Sequence, residues 1–578
     1  MISLHNRVDW LVNRLIRSPS AWYLGMTTRQ QLQQTILERL FWHTAERDDA
    51  KVADHLFRRR EMSSVFTLDE ATLFDFFFHY LREIEVFPLL EDITPKGQKR
   101  EHIPFIQFIL VFLMKAIGSI PKMDTLHDLL LTDELLMGIC GFNAYQVRNG
   151  SCQRGIKLRA TPVPEIRGAI CVDTLAKQIV KITPRTIEGF FNRSIQQLAR
   201  LGTFPKYIHA ACDATDYETT NQFKGRGKVT RDRKVEARGY RKNGELRAVR
   251  VTVYGWKTWA IYELNTGIPL AIKIDTIEKP DNLHVLAVLE QAKENVGPKS
   301  TIRSLVVDRG FLDGKVLFAI DRQGIEFVIP LKSNMTATTD ARQLALEAVD
   351  SHQACREVEV THGYGKKKYT EKIRTELISV EGLLTCDWFN PEGSDANTTK
   401  KDFEPIPLNA VVVKTWDNKK PPIDKQVVLV TNGDVSNPFI AFDRYDDRSL
   451  IENNLFRDTK QNWCLEHPPR KTKEGVWVQV YVVMAMKALS TAFLMWQEEQ
   501  TRLHQAGEQT TWNMYRRKLK ALNRNKLIVF VGPCFGIFSS HEVFMLAGVP
   551  VHDAEKELKT SRAQIYTRYT GMAPPDSS

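Results

Sequence analysis

The segment YDDRSLIENNLFRDTK, residues 445–460, spaces a phenol, a guanidinium and a carboxylate three and then four residues apart as Tyr445, Arg448 and Glu452. On a helix turning about 100° per residue these fall within roughly 60° of one another, so one face carries all three. Asp446 and Asp447 suit the positive end of such a helix. Alone, the segment reads as a solvated face with an Arg448–Glu452 pair one turn apart. Two more acids change that reading. Asp213 follows the apolar run YIHAAC, with Thr215 and Asp216 close behind, and Asp308 follows LVV and precedes Arg309-Gly310-Phe311. A carboxylate where a buried strand emerges has its backbone fixed by the sheet while its side chain reaches solvent or metal. Asp213 directly ends its strand, which favours it over Asp216 as the first acid, with Asp216 kept as the alternative.

Three converging carboxylates repel one another unless a cation sits among them. Oxygen-only ligation with open positions suits Mg²⁺ or Mn²⁺. Two such ions about 4 Å apart activate a water or a 3′-hydroxyl and stabilise the leaving oxygen of a phosphodiester. In that arrangement Asp213, Asp308 and Glu452 are both the catalytic acids and the metal ligands. Arg448 and Tyr445 hold the nucleic-acid backbone beside them.

The elements that must position these groups follow from periodicity. Up to about residue 200 the apolar spacing is helical, as in TTRQQLQQTILERLFWHTA, TLDEATLFDFFFHYLREIEVF, HDLLLTDELLMGICGF and TPRTIEGFFNRSIQQLARLG. From 205 the period shortens: YIHAACDATD, RAVRVTVYGW, TWAIYEL and PLAIKI read as strands, the last two joined by a turn at Asn265-Thr266-Gly267. A helix (NLHVLAVLEQAKENV), a strand (IRSLVVD), a helix (GKVLFAIDRQG) and a strand (EFVIPLK) follow, which describes an α/β layer with a mixed sheet. Residues 332–435 read as a β-rich insertion between polar connections. The predicted organisation is a helical region over 1–200, core over 201–331, insertion over 332–435, core again over 436–500, and a helical end over 501–578 with a disordered tail.

Composition sets limits on partners. Across 578 residues, 80 Lys plus Arg against 69 Asp plus Glu give a net +11, which favours polyanions. The segment 224–250 holds eleven basic residues against three acids, so +8 of that excess lies between the first two core strands, with Arg231, Arg233, Lys234 and Arg238 as candidate DNA contacts. Smaller basic clusters lie at 365–372 and 515–526. The eight cysteines form no Cys-x-x-Cys, which argues against a zinc site or a disulfide framework and fits a reducing compartment. The apolar run 476–496 is long enough to cross a membrane, but Gln479 and Lys487 interrupt it and it reads as a buried helix. There is no P-loop, dinucleotide fingerprint, nucleophile elbow or His-Glu-x-x-His.

CDATD, VVDRGF and YDDRSLIENNLFRDTK together resemble the three acidic motifs of the IS4-type bacterial transposases. The third family motif is Tyr, two residues, Arg, three residues, Glu, six residues, Lys. Tyr445, Arg448 and Glu452 match it, while Lys460 comes one residue late and Thr459 stands at the lysine position. The resemblance spans about residues 100 to 500 and implies an RNase H-like core: a mixed sheet flanked by helices, interrupted by a β-rich insertion and preceded by a helical region that binds transposon ends and makes dimer contacts. It further implies cut-and-paste transposition of double-stranded DNA, joining transposon ends to target DNA, by a homodimer in a bacterial cytoplasm at the nucleoid. Lys460 is expected to reach a phosphate only from the edge of the helix face, so that Arg448 matters more. Trp416 and Trp388 are candidates to stack a flipped base, with a core role weighing against each. A related nuclease without strand transfer, or a DNA-binding protein that retains the fold, would share these motifs.

Overall fold

Small and β-branched residues crowd two short runs, 208–212 and 302–307, which pair side by side at the centre of a large sheet. The computed structural model describes residues 46–97, 102–151, 167–236, 246–347, 353–362, 369–386, 388–390, 406–416, 422, 425–501, 511–522, 524–548 and 555–575. The chain divides into two units, one formed by 1–183 with 493–578, the other by Pro184–Ala492.

The unit made from the two ends of the chain contains β1 (Glu46–Arg47), β2 (Ser64–Thr67), β13 (Lys526–Val531) and β14 (Cys534–Ser539), in the order β1-β14-β13-β2. Helices Asp49–Arg59 and Glu555–Thr570 bury Val52, Leu56, Ile565 and Tyr566 with Val529 and Phe538 of this sheet. These regions, expected to be helical, thus also build a sheet. The segment KLIVFVGPCFGIFS turns back on itself at Gly532, whose φ is +57°, and pairs Val531 with Cys534. Helix Leu68–Glu83 occupies the run LDEATLFDFFFHYLRE, and helix Phe105–Ile117 is buried along its whole length. The predicted helix over TTRQQLQQTILERLFWHTA lies outside the described residues.

The second unit is built on a ten-stranded sheet. Its first strands are β3 (Tyr207–Thr219), β4 (Gly227–Glu236), β5 (Leu246–Glu263) and β6 (Ile268–Thr276). β5 runs antiparallel to β3, and β6 antiparallel to β5. Helix Val285–Val296 leads to β7 (Thr301–Val307), parallel to β3, and helix Gly314–Asp321 leads to β8 (Glu326–Pro330), parallel to β7. The order β6-β5-β3-β7-β8, with the last three parallel, is the RNase H-like mixed sheet. The four described strands of the 332–435 segment are β9 (Gln353–His362), β10 (Tyr369–Leu383), β11 (Leu408–Trp416) and β12 (Val427–Thr431). They continue the same sheet from β8 in the order β12-β11-β10-β9. The membrane-length run lies in helix Lys473–Thr501, and 89% of its apolar window is buried inside the protein. Both of its polar interruptions are paired: Gln479 Nε2 donates to Cys464 O at 2.8 Å and Lys487 Nζ to Asp458 Oδ2 at 2.8 Å.

Two expectations change. The basic segment between the first core strands is β4 and the first half of β5, with backbone pairing from Gly227↔Gly255 to Glu236↔Leu246. Charged side chains had masked the two-residue period of TRDRKVE. RAVRVTVYGW and TWAIYEL are one strand, bent at Gly255, whose φ is +155° and whose missing Cβ would stand 2.0 Å from Tyr217 O.

Candidate active site

β3 does not end at Asp213; it continues to Thr219, held by β5 alone. What ends is its pairing with β7. Cys212↔Val307 is the last pair, so Asp213 and Asp308 are the next residue on each of two adjacent parallel strands. They stand where the two strands part, Asp213 still paired with β5 and Asp308 just past the end of β7. Asp213 Oδ1 accepts from its neighbour's Ala214 N at 2.7 Å. Asp308 caps the tight turn Arg309–Phe311, its carbonyl accepting from Phe311 N at 2.9 Å.

The segment carrying the third acid is not one regular helix. Asn437, with Pro438 behind it, starts helix Pro438–Asp446, and Asp446 closes it. Asp446 and Asp447 therefore sit at a helix C-terminus, opposite to the expected end. Burial, with Asp446 and Asp443 nearby, pushes the Asp447 carboxyl above its ordinary range. Arg448 lies in the following turn. The chain then winds as a π-helix over Ile451–Arg457 and returns to α over Asp458–Asn462. Bonding from i to i+5 takes up one more residue per turn than the α-helix does. That extra residue is the one by which Lys460 is late. Thr459 is fully buried, its Oγ1 donating to Phe456 O at 3.1 Å. Lys460 Nζ instead donates to Asp216 O at 2.6 Å and pairs with Glu466 at 3.2 Å. The lysine has been rotated back toward β3.

Charge ties the site together. Arg448 Nη1 donates to Asp213 Oδ2 at 3.4 Å, while Arg448 Nε is buried without a hydrogen-bond partner. The Asp213 carboxyl is pushed up to about 6, first by burial and then by the charges of Asp308 and Glu452, against the pull of Ala214 N–H and Arg448. The Arg448 guanidinium lies 5.7 Å from the centre of the Tyr445 ring. Burial raises the Tyr445 phenol, and both Arg448 and Asp308 act on it. Tyr445, Arg448, Glu452, Asp213 and Asp308 therefore share one electrostatic neighbourhood. Among the described residues no three His, Cys, Asp or Glu side chains stand close enough to hold an ion. The donor set is chemically suited to a divalent cation, being oxygen-only and self-repelling, but its side chains are not closed round one.

Alternation along β3 separates the two candidates for first acid. Asp213 and Tyr217 share a face, and Tyr217 is buried against Trp256. Asp216 and Glu218 take the other face, where Arg231 pairs with Asp216 and Arg233 with Glu218. Lys234 lies in β4, and Arg238 lies outside the described residues. Trp416 is half-buried beneath the Arg374 guanidinium, 5.6 Å from its ring centre. Trp388 is packed on the start of helix Gly314–Asp321, where its carbonyl stands 1.8 Å from the position of a Cβ on Gly314. Lys257 and Asp281, which no motif marks, lie beside the same strands and are joined at 2.6 Å.

Residues 205–487 match the model of the transposase DDE domain family. No curated protein matches the chain. Among solved structures, the chain is similar to a piggyBac transposase in a cryo-EM synaptic complex with hairpin DNA, at 11% identity and a TM-score of 0.30, covering 92% of this chain and 86% of that one. The stretch that matches this family model holds β3 through β12, the turn with Arg448 and the helices that carry Glu452 and Lys460.

Proposed function

We propose that this protein is a transposase of the IS4 type that cuts DNA at transposon ends and joins the 3′-ends to target DNA, with Asp213, Asp308 and Glu452 as its catalytic acids. The observation that carries the reading is the parting of β3 and β7 after Cys212↔Val307, which delivers two acids side by side within a transposase DDE domain, with Glu452 close enough to raise the Asp213 carboxyl. Mg²⁺ or Mn²⁺ held by these three acids would supply Lewis-acid activation of the attacking oxygen and stabilisation of the leaving one. The protein's own groups do the rest. Arg448 is fixed against Asp213, where its guanidinium would hold a phosphate oxygen beside the acids. Tyr445 lies beneath that guanidinium, and Lys460 stands beside β3 as a second cation for the DNA backbone. Double-stranded DNA, as transposon end and as target, is the partner, a homodimer the assembly, and the bacterial cytoplasm the location.

Incubating the protein with end-containing DNA and either Mn²⁺ or Mg²⁺ tests this. Strand cleavage followed by joining is expected, and neither should occur with Asp308→Asn although that variant still binds DNA. Cleavage without joining would reduce the reading to a nuclease, and binding with no cleavage under either metal would reject it.

A further inference from the structure

The glycine of Asp308-Arg309-Gly310-Phe311 faces a carboxylate that no motif predicts. A Cβ built on Gly310 would stand 3.1 Å from Asp281 Oδ2, tighter than ordinary van der Waals contact. Gly310 φ is not in the left-handed region, so its backbone alone would accept alanine. What crowds a side chain there is Asp281, whose carboxylate would have to give by a few tenths of an ångström. Its other oxygen, Oδ1, accepts from Lys257 Nζ at 2.6 Å. Lys257 is 8% exposed and also donates to Lys279 O at 2.8 Å. Two residues along β5 and on the same face, fully buried Trp259 donates from Nε1 to Asp281 O at 2.7 Å. One step further, Asn282 Nδ2 donates to Asp313 Oδ2 at 2.6 Å, and Asp313 Oδ1 caps the helix after the turn through Lys315 N at 3.0 Å and Val316 N at 3.2 Å.

The connection from β6 to helix Val285–Val296 is thus tied to β5 on one side by Lys257 and Trp259. On the other side Asp281 faces the middle of the Asp308 turn at Gly310, and Asn282 is bonded to Asp313 just beyond the turn. We propose that Lys257 and Asp281 are positioning residues for Asp308: the buried ammonium fixes the Asp281 carboxylate, and that carboxylate sets where the turn carrying Asp308 lies. The ammonium also neutralises a fourth acid that would otherwise add to the repulsion among Asp213, Asp308 and Glu452. This role rests on the catalytic part given above to Asp308, and it concerns geometry rather than contact with DNA.

Two substitutions and their combination test it. Asp281→Ala and Gly310→Ala should each lower kcat for DNA cleavage, by about 10²-fold and about tenfold, with KM for DNA unchanged, as expected when a reacting group is displaced by a fraction of an ångström. Because both act through one contact, Gly310→Ala should cost nothing more in the Asp281→Ala background. Lys257→Met should match Asp281→Ala within about threefold. Amide exchange, which needs neither metal nor DNA, should rise at least about tenfold across 308–316 in Asp281→Ala while 302–307 stays protected. Additive losses, or exchange that rises along the whole of β7, would overturn the proposal. If the parent protein cleaves no DNA, the transposase reading fails while the exchange result still decides whether Asp281 holds the turn.

Discussion

The segment 445–460 and the β4–β5 ribbon are the two places where basic side chains were expected to meet phosphate, and the fold treats them in opposite ways. On that segment the donors are fixed and partly unspent. Arg448 is held by Asp213 with its Nε–H buried and unpartnered, and Lys460 is aimed at β3. The turn behind Lys460 is anchored by Asp458, which takes Lys487 at 2.8 Å and Trp463 Nε1 at 3.1 Å. On the ribbon the donors are spent on the protein's own acids. Arg231 lies opposite Val251, whereas its partner Asp216 lies opposite Lys257, six residues further along β5. In a straight strand that offset is about 20 Å, more than the two side chains span, so the ribbon folds back over β3 at the paired glycines 227 and 255. In the proposed reaction the first region would be preorganised for the transition state, and the second would have to exchange one anion for another before it could hold DNA.

If that contrast holds, the largest losses come from the site side. Asp308→Asn should lower cleavage by at least about 10³-fold, the scale of losing an ion's charge stabilisation, with DNA affinity within about twofold of the parent. A variant retaining a tenth of the activity would remove Asp308 from the reaction. Arg448→Ala and Lys460→Ala should each cost on the order of 10²-fold in cleavage rate. The late position of Lys460 suggested a smaller role for it; the π-helix makes the two losses comparable. Deleting the exposed Asn453 from the π-helix sharpens this, since an α-helix with one residue fewer would return Lys460 to the same side at the family spacing. Cleavage by that variant should stay within about tenfold of the parent. A loss as large as that of Lys460→Ala would mean that the π turn itself is needed.

Asp213 carries a stability cost of its own. Its carboxyl is raised from 3.8 to about 6 in the folded protein, so between those values the folded state binds more protons than the unfolded one. Stability from this group is therefore present below about pH 4 and is lost as pH rises through 6. Asp213→Asn removes the penalty. With its side chain only 16% exposed, the metal-free variant should gain on the order of 2 kcal/mol at pH 8 and nothing at pH 4, less whatever Arg448 loses without its partner. Denaturant unfolding at the two pH values would show it, and equal stability at pH 8 would mean that the burial of Asp213 is relieved by other means.

What could be read beforehand divides along the same line. Asp213 and Asp308 were legible because apolar runs end beside them, and that pattern is local. Glu452 and Arg448 were legible as a spacing, although the single α-helix that the spacing implied is a helix, a turn and a π-helix. Seven residues bonded from i to i+5 leave no periodic trace, and only the misfit of Lys460 hinted at them. Lys257 and Asp281 were invisible, being 24 residues apart in sequence and joined only by the return of β6 along β5. The ribbon was recognised as basic but not as a strand pair, since a two-residue period written in charged side chains looks like loop. Its acid partners were missed because Asp216 was weighed as a first acid, Glu218 carried no signal of its own, and neither was placed by the alternation along β3.

The smallest effect separates the two regions most cleanly. Taking Arg231 and Arg233 as free phosphate ligands, replacing Arg231, Arg233, Lys234 and Arg238 with alanine would flatten the dependence of log K on log salt by roughly three or four units. With Arg231 and Arg233 already paired to carboxylates, binding a phosphate releases a DNA counterion but exposes Asp216 or Glu218, and part of the gain is lost. The pairs are only partly buried, with side-chain exposures of 35% and 21% in one and 44% and 39% in the other, so each is worth little on its own and can be exchanged. Asp216→Asn with Glu218→Gln should free both arginines while leaving Asp213, on the opposite face, untouched. DNA affinity at low salt should rise several-fold, the salt slope should steepen by up to about 1.8, which is two phosphates at about 0.9 each, and cleavage at saturating DNA should not change. An unchanged slope would place the DNA path away from the ribbon, toward the basic residues at 365–372 or 515–526. A fall in cleavage at saturating DNA would mean that Asp216 acts in the site after all, and the distinction between the two faces of β3 would fail.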